Sequence, residues 1–379
     1  MLENIENSKT KIIGIPLPAL NKSSSISRPE LIFSLKKAGF SVYLMGYDHN
    51  GDLHPVYDDY GIFYVPLPLK RINKNPISEL FALLQTRNVF SNHKFDALVI
   101  KGIRTFPTLV IAGKLSHVKK IICIVNGSGR LFQLKGIQGL LIKLISYPLL
   151  RFSMALADFV FVQNPDDLKL LSEKNLFLRK NYGLINGSGV NLEKFNIVPL
   201  SPKPVFTMIC RITGDKGVNE FIQAAKTVKA LYPNSVFRLI GPMDDDDQQI
   251  NSGEFDKAIR EGYIDYIGRV DDVRPYLAKS RVFVLPSYYR EGVPRTNLEA
   301  MAMGRPIITT DWPGCRETVV DGVNGFLVPI KDADALAEKM IWMIEHPDDA
   351  ARMGRESRRI AEEKYDVHKV NSKIIKKLD

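Results

Sequence analysis

The sequence predicts an α/β protein built from two parallel-sheet halves. Three observations carry that expectation. Short apolar strand-like runs alternate with helical runs along the chain. A Pro-rich segment, residues 199–204 (PLSPKP), separates two such series. A loop, Asn126-Gly127-Ser128-Gly129, follows a strand, at the edge where open α/β sheets bind ligands. Length agrees, since 379 residues suggest two or three domains.

Residues 11–15 read as a strand stopped by Pro16 and Pro18, and a Ser-rich loop, 21–27, follows. Pro29 opens a helix over 30–38, closed by Gly39. Strands over 40–46, 62–66, 97–101 and 121–126 alternate with helices over 77–88 and 106–115. Residues 136–157 form the most apolar helix, which Pro148 is expected to kink or break. Lys135, Lys143 and Arg151 recur around it every eight residues. The helix holds too many charges for a membrane span. It reads either as a wall of its domain or as a surface lying in a membrane interface with basic side chains on lipid phosphates. A strand over 158–163 precedes Asn164-Pro165-Asp166-Asp167, a helix cap. Residues 184–190 read as strand then loop. Past the Pro-rich linker, strands over 205–210, 236–241, 264–268 and 281–286 alternate with helices over 218–230, 253–261 and 273–278. Helices over 332–345, 347–364 and 367–377 close the chain.

Hydrophobic residues make up 45% and charged residues 25%, ordinary for a chain with substantial cores. Cys123, Cys210 and Cys315 lie far apart, without metal-ligand or disulfide spacing, so a reducing cytoplasm is expected. The N-terminus does not read as a signal peptide, and no uninterrupted apolar run reaches membrane-span length. Residues 1–190 hold 24 Lys and Arg against 13 Asp and Glu, whereas residues 191–379 hold 28 against 29. The +10 net charge is therefore a property of the first half. It suits an anionic membrane surface or a phosphorylated substrate, and no nucleic-acid module accompanies it, so no nucleic-acid partner is expected.

The chemistry concentrates in residues 287–329. Glu291 sits in a Gly/Pro-bounded loop, and Glu299 lies eight residues on, in a short helical run ending at Gly304. Two carboxylates beside a helix N-terminus suit a ligand that carries both sugar hydroxyls and phosphate, a sugar nucleotide. A surface ion pair of Glu291 or Glu299 with Arg290 or Arg295 is the plainer alternative. Arg211 and Lys216, five residues apart on a strand-to-helix loop, can neutralise a departing diphosphate.

Arg211 and Lys216 in CRITGDKG, the run GSGVNLEKF at 187–195 and EGVPRTNLE at 291–299 together resemble the family 4 glycosyltransferases. The resemblance is good from 158 to 329 and poor over the first hundred residues. It implies the GT-B fold, two Rossmann-like domains facing a cleft: an acceptor domain over 1–198, a donor domain over 199–364, and a final segment, 365–379, crossing back. It implies a retaining transfer of a hexose or N-acetylhexosamine from a UDP-sugar to a lipid-linked (polyprenyl-diphosphate) saccharide or surface polysaccharide, at the inner face of the cytoplasmic membrane. Arg211, Lys216 and Glu291 would serve the chemistry, with Glu291 on donor-sugar hydroxyls. Glu299 would hold the ribose. Thr296 and the backbone at Gly292 and Val293 would also approach the donor, as would Asn126, Gly127 and Gly129. Front-face displacement needs no protein nucleophile, metal or cofactor, and the run Asp244–Asp247 reads as a solvated loop. Two positions depart from the family pattern. Ser23, Ser24 and Ser25, with Gly14 earlier, stand where many relatives have a Gly-Gly pair. Asn126 stands where many have a histidine, and it cannot shuttle a proton. A sugar-nucleotide epimerase is the alternative, but it would need a further acid/base pair. A dehydrogenase is disfavoured because no G-x-G-x-x-G follows the first strand.

Overall fold

A computed structural model describes residues 10–17, 29–46, 60–67, 76–243, 250 and 252–378. The Ser-rich run with Ser23, Ser24 and Ser25, and the aspartates at 244–247, lie outside the described residues.

The first sheet comprises β1 (Ile12–Leu17), β2 (Ser41–Gly46), β3 (Phe63–Pro66), β4 (Ala97–Lys101), β5 (Lys120–Val125), β6 (Phe159–Val162) and β7 (Tyr182–Leu184). Its order is β3-β2-β1-β4-β5-β6-β7, and every pairing is parallel. Its helices are α1 (Pro29–Lys37), α2 (Pro76–His93), α3 (Phe106–Leu115), α4 (Gly136–Leu156) and α5 (Pro165–Glu173). The second sheet joins β8 (Val205–Ile209), β9 (Val236–Ile240), β10 (Asp265–Gly268), β11 (Val282–Leu285), β12 (Ile307–Thr310) and β13 (Gly325–Val328) in the order β10-β9-β8-β11-β12-β13, again parallel. With it run α6 (Val218–Leu231), α7 (Ser252–Arg260), α8 (Arg274–Ala278), α9 (Arg295–Ala302), α10 (Ala333–Glu345) and α11 (Pro347–Lys364). The last helix is α12 (Val367–Ile375).

Every residue of β8 and β11 is buried, as expected for parallel strands covered by helices on both faces. One core holds the second sheet with α6, α9, α10 and α11. The first sheet has a core on each face. One of them takes Leu31, Ile32 and Leu35 of α1 together with Val370 and Ile374 of α12. The final helix therefore leaves the second sheet and packs on the first, where Asn371 Nδ2 also donates to Ser34 Oγ at 3.1 Å. The chain passes between the two sheets at 185–204 and again at 365–367. Val190 N donates to Tyr365 O at 2.8 Å and Val367 N to Val190 O at 3.1 Å, so the two passages lie bonded side by side.

Four local expectations change. Gly14 belongs to the core: a Cβ there would lie 2.6 Å from Met45 Cε and 2.8 Å from Leu98 Cδ2. Pro148 sits inside α4 without ending it. The carbonyl it leaves unbonded, four residues back, belongs to exposed Leu144, where water can satisfy it. By length and composition α4 is apolar enough to cross a membrane, because its 21 residues hold just two charged side chains, Lys143 and Arg151. The Pro-rich linker is held fast. Arg305, fully buried, donates to Ser280 O at 2.6 Å, Met303 O at 3.0 Å, Pro199 O at 3.1 Å and Val198 O. Burial pushes its guanidinium down to about 10, and the surrounding carbonyls stabilise the charge.

Candidate functional site

Strand order places the chemistry. In the second sheet the order reverses between β8 and β11, so the loops leaving their carboxyl ends lie side by side at a topological switch point. The β8 loop carries Arg211 and the single turn Gly214–Lys216. It ends at Gly217, whose φ of +81° sets the entry to α6. A Cβ on Gly217 would lie 2.2 Å from Pro286 O, so the loops touch backbone to backbone. Asp215 O accepts from Tyr288 N at 2.9 Å and Tyr289 N at 3.0 Å, which locks the β11 loop in place.

Those locks bring Lys216 and Glu291 together. Lys216 Nζ lies 2.5 Å from Glu291 Oε1, and Ser287 Oγ donates to the same oxygen at 3.1 Å. The Tyr289 ring flanks the ammonium, 5.1 Å from its centroid. Burial alone would lower the Lys216 pKa, but the Glu291 carboxylate overrides it and the net direction is upward. The ammonium therefore stays charged well into alkaline pH. Arg211 is exposed on the same loop.

Of the plain pairs considered from sequence, the one between Glu299 and Arg295 forms and none of those at Glu291 does. Glu291 pairs across loops with Lys216, whereas Arg290 turns to Asp167 at 3.3 Å. Glu299 does pair with Arg295, at 2.7 Å, but it is 7% exposed on α9, and Arg295 also lies 3.9 Å from Glu30 of the other domain. Thr296 is half-buried on the first turn of α9. Burial raises the Glu299 pKa against the opposing pull of Arg295. The folded state thus binds this proton more tightly than the unfolded chain, and the ionised carboxylate costs stability above the folded pKa. Glu299→Gln should raise the melting temperature at neutral pH, on the order of 2–4 °C per kcal/mol gained. The gain should vanish as pH falls below the unfolded glutamate pKa. A thermal melt series from pH 4 to 8 checks this; a variant less stable at pH 7 would refute it.

Across the cleft, the loop after β5 meets the β11 loop face to face. Asn126 is exposed, while Gly127 (φ +107°) and Gly129 (φ +67°) take left-handed backbone. A Cβ on Gly127 would lie 2.6 Å from Arg290 O and 2.7 Å from Gly292 N. A Cβ on Gly292 would lie 2.8 Å from the Asn126 carbonyl carbon. Val293 is buried beneath, filling the space beside Gly187. The predicted residues Asn126, Gly127, Gly129, Gly292 and Val293 thus meet, and they adjoin the Lys216–Glu291 pair through Glu291.

Sequence reasoning passed over a second set. Asn164 caps α5, as its NPDD context suggests, by accepting from Asp167 N at 2.7 Å. Its amide nitrogen also reaches across the cleft, and nothing in the local sequence signals that. Asp167, wholly buried, accepts from Ser128 Oγ at 2.7 Å and Ser128 N at 3.1 Å. Arg316 joins the domains again through Asp166 at 3.3 Å. Among the described residues no group of three or more His, Cys, Asp or Glu side chains is placed to hold a metal ion.

Two facing parallel-sheet domains, with a half-buried cation–carboxylate pair at a switch point opposite a glycine loop, define a two-domain α/β class with its candidate site in the cleft. Residues 191–360 match the glycosyl transferases group 1 family, and the chain is a glycosyltransferase of the GT-B fold and hexosyltransferase class. It is 27% identical over 303 residues to the N,N'-diacetylbacillosaminyl-diphospho-undecaprenol alpha-1,3-N-acetylgalactosaminyltransferase of Campylobacter jejuni, covering 76% of this chain and 78% of that one. It is 26% identical over 355 residues, 88% of each chain, to an Escherichia coli UDP-Gal:alpha-D-GlcNAc-diphosphoundecaprenol alpha-1,3-galactosyltransferase. The fold is shared with Anabaena Alr3699/HepE in complex with UDP and glucose, at a TM-score of 0.76 and 15% identity over 97% of this chain and 99% of that one.

Proposed function

We propose that the enzyme transfers a hexose or N-acetylhexosamine, with retention, from a UDP-sugar to a saccharide carried on a polyprenyl diphosphate, at the inner face of the cytoplasmic membrane and in the service of surface-polysaccharide assembly. The observation that carries the reading is the Lys216–Glu291 pair at the switch point, opposite the loop of Asn126 and Gly127. The names of the two bacterial relatives supply the acceptor class.

In this reading Lys216 and Arg211 stabilise charge building on the departing diphosphate. Glu291 and the Gly292 and Val293 amides hold the sugar, and Glu299, Thr296 and Gly129 complete the donor site. The anomeric C–O bond to the diphosphate breaks, the acceptor oxygen bonds the same carbon from the same face, and its proton passes to a diphosphate oxygen. Asn126 can orient a donor hydroxyl but takes no proton. No metal is assigned a part. UDP release measured over a panel of UDP-sugars, with a short-chain prenyl diphosphate saccharide and EDTA present, tests the scheme. No transfer with any donor would defeat it, and a new epimer formed without acceptor would favour the isomerase. Glu299→Ala should raise the donor KM about tenfold or more, the worth of a charge-assisted hydrogen bond of roughly 1.5–3 kcal/mol; an unchanged KM would remove its assignment to ribose.

A membrane surface fits the same reading. Ile137, Leu140, Leu144 and Ile145 of α4 are 79%, 66%, 70% and 65% exposed, while Leu150 and Met154 anchor the helix in the core. Helix α2, which like α4 packs on α3, leaves Leu80 and Phe81 exposed as well. A helix half in the core and half bare suits an interfacial position, with the basic first half facing anionic headgroups. Replacing Leu140, Leu144 and Ile145 by serine should weaken flotation with anionic vesicles by on the order of a hundredfold or more, at roughly 1.5–3 kcal/mol per side chain. Unchanged flotation would refute the contact.

A further inference from the structure

Asn164 does two things with one side chain. Its Oδ1 caps α5, while its Nδ2 donates to Gly292 O at 2.8 Å, to Asp167 Oδ2 at 3.0 Å and to Glu291 O at 3.1 Å. Two hydrogens serve three acceptors, so one goes to Asp167 and the other is shared by the two carbonyls of the facing domain. Gly314 also closes on those carbonyls, since a Cβ there would lie 2.5 Å from each. Asn164 is itself wholly buried.

The peptide plane turns this into a statement about the donor loop. In a trans peptide the C=O and the next N–H point in opposite directions. Holding Glu291 O therefore aims Gly292 N–H, and holding Gly292 O aims Val293 N–H. These are the two backbone donors that the proposed donor site uses. A second tie across the cleft holds the same donor loop to the loop after β5 and to α5: Arg290 Nε donates to Ser128 Oγ at 2.8 Å, and Arg290 Nη2 lies 3.3 Å from buried Asp167.

We infer that Asn164 is a positioning residue that couples domain closure to the aim of the Gly292 and Val293 amides, so that the donor loop takes its working shape when the acceptor domain is docked. This rests on the donor-site reading above. Its chemistry is hydrogen bonding alone, with Asp167 and Arg290 holding the latch from the side.

Asn164→Ser separates the two roles, because serine still caps a helix but is too short to reach the carbonyls. We expect a fall in kcat of about tenfold or more, a UDP dissociation constant within about twofold of wild type, and faster amide exchange in the peptide spanning 291–293. Protection of the peptide spanning 165–173 should be unchanged. Arg290→Gln, which cuts the other tie, should give the same pattern more weakly. Wild-type kcat with unchanged exchange at 291–293 would overturn the inference. So would a kcat loss accompanied by equal loss of protection in α5, which assigns Asn164 to capping alone. Wild-type enzyme that does not bind UDP would instead overturn the donor-site reading, and the exchange data would then decide the latch by themselves.

Discussion

Lys216→Met should lower kcat/KM for transfer by about two to three orders of magnitude, the roughly 2.7–4 kcal/mol expected when a donor aimed at developing negative charge is removed. The same change should lower stability, because Glu291 would keep a mostly buried carboxylate with Ser287 as its remaining partner at 3.1 Å. Lys216→Met with Glu291→Gln removes both charges together. We expect that double variant to regain the melting temperature and none of the activity. Stability and catalysis would then be separated at one pair, which a purely structural ion pair does not allow. A single variant keeping more than about a tenth of wild-type kcat/KM, against the loss expected for such a donor, would exclude Lys216 from the chemistry.

Gly127→Ala should abolish most transfer without unfolding either domain. Its φ of +107° already disfavours a side chain. The added Cβ would also meet backbone of the other domain, 2.6 Å from Arg290 O and 2.8 Å from the Glu291 carbonyl carbon. Backbone cannot swing aside as a side chain can, so relief comes from opening the cleft. A displacement of about 1 Å costs on the order of a hundredfold in rate. UDP binding, which the proposed site places mainly in the second domain, should persist, and small-angle scattering should show a larger radius of gyration. Gly217→Ala gives the contrast, because its clash, 2.2 Å from Pro286 O, is internal to the second domain and should lower the melting temperature. Full activity in Gly127→Ala would show that the loops need not meet.

The architecture was legible because parallel strands covered on both faces are written as unbroken apolar runs, as in β8 (VFTMI) and β11 (VFVL). Lys216 and Glu291 were legible as chemistry but not as partners. They are 75 residues apart, and strand order, not spacing, brings their loops together. Asn164 illustrates the converse limit. A capping asparagine is a local signal, and the second use of its amide depends on a carbonyl pair 127 and 128 residues away. Pro148 does not break its helix and the Pro-rich linker is held fast, because proline reports local backbone freedom, while exposed Leu144 and buried Arg305 decide the outcome.

The two side-by-side passages between the sheets have a mechanical consequence. A single tether would let one domain tumble about the other through three rotations. Here Val190 is bonded to both Tyr365 and Val367, and a Cβ on Gly189 would lie 2.6 Å from Val367 Cα, leaving no slack between the strands. Two passages bonded side by side resist twist about either one more than a single tether would. The second passage thereby restricts how one domain can turn against the other. Part of the orientational freedom that docking two free bodies would lose is removed in advance by the second passage. The hydrogen bonds and ion pairs across the cleft then act against a smaller entropic cost, and cutting the backbone beside Val190 should raise that cost.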